Sequence, residues 1–223
     1  MDNYKHIEVS IIIAAYNAQK FISRAIGSCL NQSMDHSYEI IVIDDGSEDD
    51  TCSVASTFND VDFVQVHRID QNIGLPAVCN VGIKEAKGVY VVRVDADDFI
   101  HRDMIKIMHT YMLLRRAEVD AVSCNYYRVD DKGSIIHEVP ADVVPIACGI
   151  MFKKDCLIDI GLYDEDFLLN EDKDLRIRFE EKYKIMNIPL PLYKYRMHKY
   201  SMTQNSDMIK QYDTKLEEKH GRT

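Results

Sequence analysis

Four times in the first hundred residues, a short β-branched apolar run gives way to a polar break and then to apolar residues at helical spacing. That alternation leaves few folds open, because parallel strands need a crossover between them and the crossover is right-handed. The first run, EVSIIIAAY over residues 8–16, is continuous, the pattern of a strand buried on both faces. The stretch that follows places Phe21, Ile22, Ala25, Ile26, Cys29 and Leu30 on one helical face. YEIIVIDDGS reads as a second strand, residues 49–58 as a helix and VDFVQVH as a third strand. GLPAVCNVGIKEAKG reads as a helix, with Pro76 tolerated in its first turn and Gly88 beyond its end. VYVVRVDADD is the fourth strand. The expectation is an α/β fold with a Rossmann-like, mostly parallel central sheet flanked by helices.

After residue 98 the rhythm changes. HRDMIKIMHTYMLLRRA predicts a helix, and DDKG between VDAVSCNYYRVD and SIIHEVP is a hairpin signal. ACGIMFKKDCLIDIG predicts a strand and a short helix, and EDKDLRIRFEEKY a helix. KIMNIPLPLYKYRMH predicts two short strands around Pro189 and Pro191. The segment 206–223 is a polar tail, read as a surface helix or a frayed end. No flexible linker divides residues 1–100 from 101–205, so the two halves are expected to form one unit with a smaller, mixed second part.

The net charge of −10 disfavours a broad basic face for nucleic acid. A phosphorylated ligand then needs a local device, such as a metal ion or a helix N-terminus. The six cysteines contain no C-x-x-C pair and read as reduced thiols of a cytosolic protein, with zinc ligation disfavoured. The first apolar run is short, carries Glu8 and follows no basic leader, so it reads as a strand and not as a signal peptide. No stretch approaches the ~20 apolar residues of a membrane span.

In an open parallel sheet, ligands bind beyond the carboxyl ends of the strands. Here the first strand ends at Tyr16 and Asn17, the second at Asp44 and Asp45, and the fourth at Asp95, Asp97 and Asp98. Two like charges ~5 Å apart repel by roughly 3 kcal/mol at an effective dielectric of ~20. A bound cation relieves that repulsion most completely. Asp95 and Asp97, two residues apart, project to one face of a strand end, and all-oxygen ligation suits Mg²⁺ or Mn²⁺ better than zinc. A D-x-D tripeptide alone is more often a solvated turn than a metal site. Neither G-x-G-x-x-G nor G-x-x-x-x-G-K-[ST] occurs, which argues against a Rossmann dehydrogenase and a P-loop NTPase.

Five stretches in order carry a resemblance: VSIIIAAYNAQKFISRAIGSCLNQ, YEIIVIDDGSEDDT, NIGLPAVCNVGIKEAKGVYVVRVDADD, NEDKDLRIRF and YRMHKYSMT. Together, over residues 8–203, they resemble glycosyltransferase family 2 enzymes of the GT-A fold. The resemblance implies an inverting transferase that moves a sugar from a nucleoside-diphosphate sugar, a UDP-sugar first, to a hydroxyl of a glycan or lipid-linked acceptor in surface polysaccharide biosynthesis. It makes residues 1–100 the nucleotide-sugar-binding half and residues 101–205 the acceptor-binding and catalytic-base half. The donor contacts it implies are Ala14, Tyr16 against the base, Asp45 on the base, Gly74, Asp95 on the ribose or sugar, Asp97 and His198. Asp97 and His198 are the implied ligands of Mn²⁺ or Mg²⁺, and Asp172 is the implied general base at a helix start. Asp98 supports the site or caps the next helix, Arg196 is structural or near the phosphates, and Ser201 and Thr203 belong to a loop over the donor. One departure stands out: where the family often has arginine before Asn80, this chain has Cys79.

Two rival functions use similar features. A sugar nucleotidyltransferase needs a Gly-rich basic loop after the first strand, where this chain has AAYNAQK. A non-catalytic nucleotide-sugar-binding module would not need both Asp97 and Asp172. The expected location is cytoplasmic, with peripheral contact at the inner face of the membrane implied by lipid-linked acceptors, although no strongly basic amphipathic helix supports that contact.

Overall fold

Strands β1 (Val9–Ala15) and β2 (Tyr38–Asp45) are buried along their whole length, as continuous apolar runs require. They belong to a computed structural model that describes residues 6–34, 37–198 and 206–221. Helix α1 (Ile22–Leu30) joins β1 to β2, and α2 (Thr51–Ser56) joins β2 to β3 (Val64–Ile69). Helix α3 (Leu75–Glu85) leads into β4 (Tyr90–Arg93), which is followed by a short β5 (Phe99–Ile100) and α4 (Met104–Leu114). The second half contains β6 (Ala121–Val129), β7 (Ile135–Val139), β8 (Ile150–Lys153), α5 (Lys154–Asp159), α6 (Glu171–Glu180), β9 (Ile185–Arg196) and α7 (Ser206–His220).

Among the described residues, nine strands join one mixed sheet in the order β3-β2-β1-β4-β8-β6-β9-β5, with β7 on the side of β6. The pairs β3–β2, β2–β1 and β1–β4 are parallel, so β1, β2 and β4 end on one edge. Beyond β4 the sheet turns mixed: β4–β8, β8–β6 and β9–β5 are antiparallel, and β6–β9 is parallel. Alternate residues of β1 feed two cores. Ile11 and Ile13 pack with Ile22, Ile26 and Cys29, whereas Ile12 and Ala14 pack with Val78, Cys79 and Ile83. Helices therefore cover both faces of the sheet, as an α/β layer requires.

The expected α/β architecture is present, and three local readings change. The segment around Pro189 and Pro191 forms one strand, β9, and not two. Its register against β6 shifts between Cys124 and Tyr126, where the prolines fall, because a bulge tolerates a residue that cannot donate to the ladder. The two-residue β5 carried no sequence signal. Strand β4 stops at Arg93, so Asp95 and Asp97 lie in a turn and not on a strand face.

Among the described residues, no helix is long and apolar enough to cross a membrane. All six cysteines are free; five are buried and Cys52 is partly exposed.

The C-terminal segment resolves into α7, docked on α6. Tyr212 packs with Phe167 and Leu169. Asp174 of α6, fully buried, meets Arg178 at 2.7 Å, Lys219 at 2.6 Å and His220 at 2.8 Å. Burial alone would raise the Asp174 carboxyl, but the hydrogen bonds from Lys219, Arg178 and His220 outweigh it and hold the group below the usual carboxylate range. Replacing Asp174 by Asn strands those cations and should cost about 2–3 kcal/mol. That corresponds to a fall in Tm of roughly 4–12 °C, read by circular dichroism. A depressed carboxyl stabilises the fold above its unfolded pKa and loses that contribution as pH falls through the folded value. The gap between the two proteins should therefore hold at neutral pH and close below about pH 4. A gap that persists in acid would contradict the assignment.

Candidate active site

The loops after β1 and β2 are stitched together. Asn17 N–H donates to Ser47 Oγ at 2.9 Å, Glu48 N–H to Asn17 Oδ1 at 2.9 Å, and Ala18 N–H to Thr51 Oγ1 at 2.7 Å. Asn17 sits at φ 49°, a left-handed conformation that asparagine tolerates. The stitching leaves Tyr16 at the rim of the sheet edge, 47% exposed. Ala14 is buried beneath it, opposite Ile43 in the ladder.

Asp45 ends β2 and is buried. Ile73 N–H donates to its Oδ1 at 2.8 Å and Gly74 N–H to its Oδ2 at 3.1 Å, so Asp45 pins the loop that enters α3. Each oxygen keeps a second lone pair for a ligand. Gly74 has φ 92°, and Gly46, at φ 68°, lies so close to Gln71 and Asn72 that a Cβ would stand 2.9 Å from their backbone. Both positions exclude ordinary side chains. Asp44 is fully buried, with Arg68 Nη1 at 3.4 Å.

The three acids after β4 have three different partners. Asp95 Oδ1 accepts from Arg93 Nε at 2.7 Å. Asp97 Oδ2 meets His198 Nε2 at 2.6 Å. Asp98, buried, accepts from Arg196 N–H at 2.7 Å and from the Tyr193 hydroxyl at 2.8 Å. The same hydroxyl accepts from Asp95 N–H at 3.1 Å, and Arg196 Nε donates to the Asp97 carbonyl at 2.6 Å. The end of β9 thus clamps the whole turn. Asp98 does not cap α4, whose N-cap is Asp103. Burial and then the Asp95 charge push the Asp97 carboxyl up, and His198 works in the opposite direction. Burial, Asp97 and Asp95 hold Asp98 well above the usual range. Burial is the larger cause of both shifts, and the repulsion expected for acids so closely spaced adds to it.

Arg93 reaches in a second direction. Its Nη1 donates to Glu171 Oε1 at 2.9 Å, and both side chains are buried. Burial pushes the Glu171 carboxyl up and Arg93 pulls it back. Glu171 is the first residue of α6, and the next is Asp172. Among the described residues, Asp172 makes no hydrogen bond or ion pair. It is partly exposed and lines a cavity of about 330 Å³ with Val143, Val144, Phe152 and Tyr163. Cys79, where the resemblance leads one to expect arginine, is buried within electrostatic reach of Arg93, Asp95 and Glu171. A guanidinium therefore occupies that neighbourhood, supplied by β4 and not by α3.

The structure thus brings Asp95, Asp97 and His198 together and connects them through Arg93 and Glu171 to the helix start that bears Asp172. Tyr16, Asp45 and Gly74 belong to the adjoining loops of the same edge. Ser201 and Thr203 lie outside the described residues. Arg93, Glu171 and Tyr193 were not singled out from the sequence. A cation inside a β-branched run, as in VVRVD, is the signal that pointed to Arg93, because charge is rarely buried without a partner. Asp95, Asp98 and Cys148 place one ligand atom each within 4.8 Å of one another, a candidate cluster for holding a cation. Within it, both Asp98 oxygens already accept hydrogen bonds, and burial pushes the Cys148 thiol well up. The carboxylates of Asp95 and Asp97 are the more exposed donors.

Comparison with known proteins bears on the family and the fold. The glycosyl transferase family 2 pattern matches residues 10–161. Glycosyltransferase GlyA of Streptococcus pneumoniae is 26% identical over 226 residues, 88% of this chain and 31% of that protein. Glycosyltransferase GlyG of the same organism is 32% identical over 124 residues, 55% of this chain and 40% of that protein. The chain therefore spans well under half of the length of these relatives. Among solved structures, S. aureus TarS 1-349 in complex with UDP-GlcNAc superposes with a TM-score of 0.75 at 20% identity, covering 90% of this chain and 61% of that one. The mannosyltransferase PcManGT from Pyrobaculum calidifontis, in complex with GDP-Man and Mn²⁺, gives 0.75 at 18% identity, covering 98% and 65%. These structural likenesses establish the fold. With the pattern matched across more than half of its length, the chain belongs to glycosyl transferase family 2.

Proposed function

We propose that this chain is an inverting glycosyltransferase that moves a sugar from a nucleoside-diphosphate sugar, UDP-linked in the first instance, to an acceptor hydroxyl. One observation carries the reading: Asp172, without a partner among the described residues, lines a cavity, while its neighbour Glu171 is joined through Arg93 to Asp95. A base must stand near an acceptor on one side and the donor's anomeric carbon on the other, and this connection supplies that relation. TarS with UDP-GlcNAc and PcManGT with GDP-Man and Mn²⁺ support a nucleotide sugar as ligand of this fold.

In this mechanism Tyr16 offers its ring to the base, and Asp45 and Gly74 shape the pocket wall behind it. Asp95 receives the ribose or sugar hydroxyls. Asp97 would offer carboxylate oxygen, the donor that suits Mn²⁺ or Mg²⁺, and His198 an imidazole nitrogen, which Mn²⁺ would accept more readily than Mg²⁺. When bound, such an ion supplies positive charge for the departing diphosphate. Asp172 accepts the proton of the acceptor hydroxyl as that oxygen attacks in line, which inverts the anomeric configuration. The apolar wall of the cavity, from Val143 to Phe152, suits the carbon face of a glycan or a lipid-linked acceptor. The reading extends to polysaccharide biosynthesis in the cytoplasm, with peripheral contact at the membrane where the acceptor is lipid-linked. Six free cysteines, five of them buried, accord with a reducing compartment.

A panel of UDP- and GDP-sugars with Mn²⁺ or Mg²⁺, scored for released nucleoside diphosphate with and without glycan acceptors, tests the assignment. Binding of nucleotide with no turnover on any acceptor would favour a binding module instead. Asp172→Asn should lower kcat by about 10²–10⁴-fold, the range for loss of a general base, while UDP affinity by calorimetry stays near that of the unaltered protein. Equal loss of binding and turnover would remove Asp172 from the base role. Asp97→Ala should abolish the dependence of UDP affinity on Mn²⁺, and retention of that dependence would move the ion elsewhere.

A further inference from the structure

We infer that Arg93 is a positioning residue that locks the donor-side turn to the first turn of α6, so that occupancy at Asp95 is felt at Asp172. The inference rests on the transferase reading above. One guanidinium spans two carboxylates that belong to different parts of the chain: Nε binds Asp95 and Nη1 binds Glu171. Arg93 is itself anchored, since it closes β4 opposite Ile12 of β1, in the interior of the sheet. Its planar fork fixes both the distance and the angle between its partners, which a point charge cannot do.

The start of α6 is held to α7 through Asp174 and Asn170, and to the donor-side turn through Arg93. Asn170, the N-cap, sits at φ 62° and gives no side-chain cap to the first turn. Its amide instead donates to Asp213 of α7 at 2.8 Å. The first turn is also acidic, with Glu171, Asp172 and Asp174, so unpaired it would repel the Asp95–Asp98 turn. Arg93 converts that repulsion into a bridge. Asp172 makes no hydrogen bond to Arg93 or Asp95 and is linked to them through its neighbour Glu171.

The test uses UDP with Mn²⁺ as probe and hydrogen exchange of the α6 amides as readout, on the unaltered chain, Arg93→Lys and Glu171→Gln. Calorimetry confirms binding in each case. In the unaltered chain, nucleotide should slow exchange across residues 171–176 by about fivefold or more, the lower bound of ordinary site-to-site coupling. Both variants should bind UDP yet lose that slowing. A residue with a merely structural part would lower protection with and without nucleotide alike and leave the ratio intact. If Arg93→Lys does not fold, Glu171→Gln decides, because its substitution keeps size and lies away from the donor. Undiminished slowing in a folded variant overturns the inference, as does binding to the unaltered chain with no change in α6. Failure of the unaltered chain to bind either UDP or GDP overturns the transferase reading, and this inference with it.

Discussion

The structure depends on placing several carboxylates at one sheet edge without letting them repel each other apart. Each acid is neutralised or satisfied separately. Asp95 has Arg93, Asp97 has His198, and Asp98 has a hydroxyl and a backbone N–H from β9. The partners come from β4, from β9 and from just beyond its end, so the acidic turn is held by both the parallel and the mixed half of the sheet. The site is thereby a property of the whole sheet, even though its three acids fall within four residues.

Topology explains why this edge is the functional one. Strand β4 pairs parallel to β1 on one side and antiparallel to β8 on the other, so the sheet changes character there. The strand order also reverses between β1 and β4, the kind of switch point beyond whose strand ends α/β sheets bind ligands. The turn of Asp95–Asp98 and the stitched loops after β1 and β2 lie at that end of the sheet, and Arg93 ties the turn to the start of α6.

Much of this was legible in the sequence, for identifiable reasons. The Ile run of β1, the helical face of α1 and the DDKG hairpin are local patterns, and all three appear as read. The meeting of Asp97 with His198 spans 101 positions, and only the family resemblance suggested it. The Arg93–Glu171 pair spans 78 positions. Periodicity reports which face of an element is buried and carries no information about which distant charge will meet it. Of the two readings of Asp98, support of the site or cap of the next helix, the cap fails for the same reason: its partners, Tyr193 and Arg196, lie on the strand read as two around the prolines. Of the two readings of the polar tail, a surface helix or a frayed end, the helix is the one formed, seated by a few apolar contacts and the ion pairs at Asp174.

The distribution of the thiols has a practical consequence. Cys29, Cys79 and Cys124 are pushed up to about 12 by burial, and Cys148 further, so almost none of these sulfurs is a thiolate at neutral pH. Cys52 stands apart, partly exposed near the start of α2, just behind the loop that is tied to the one carrying Tyr16. A maleimide dye would therefore attach there selectively in the native protein, and its emission would report movement of the strand-end loops without any cysteine having to be engineered in or out.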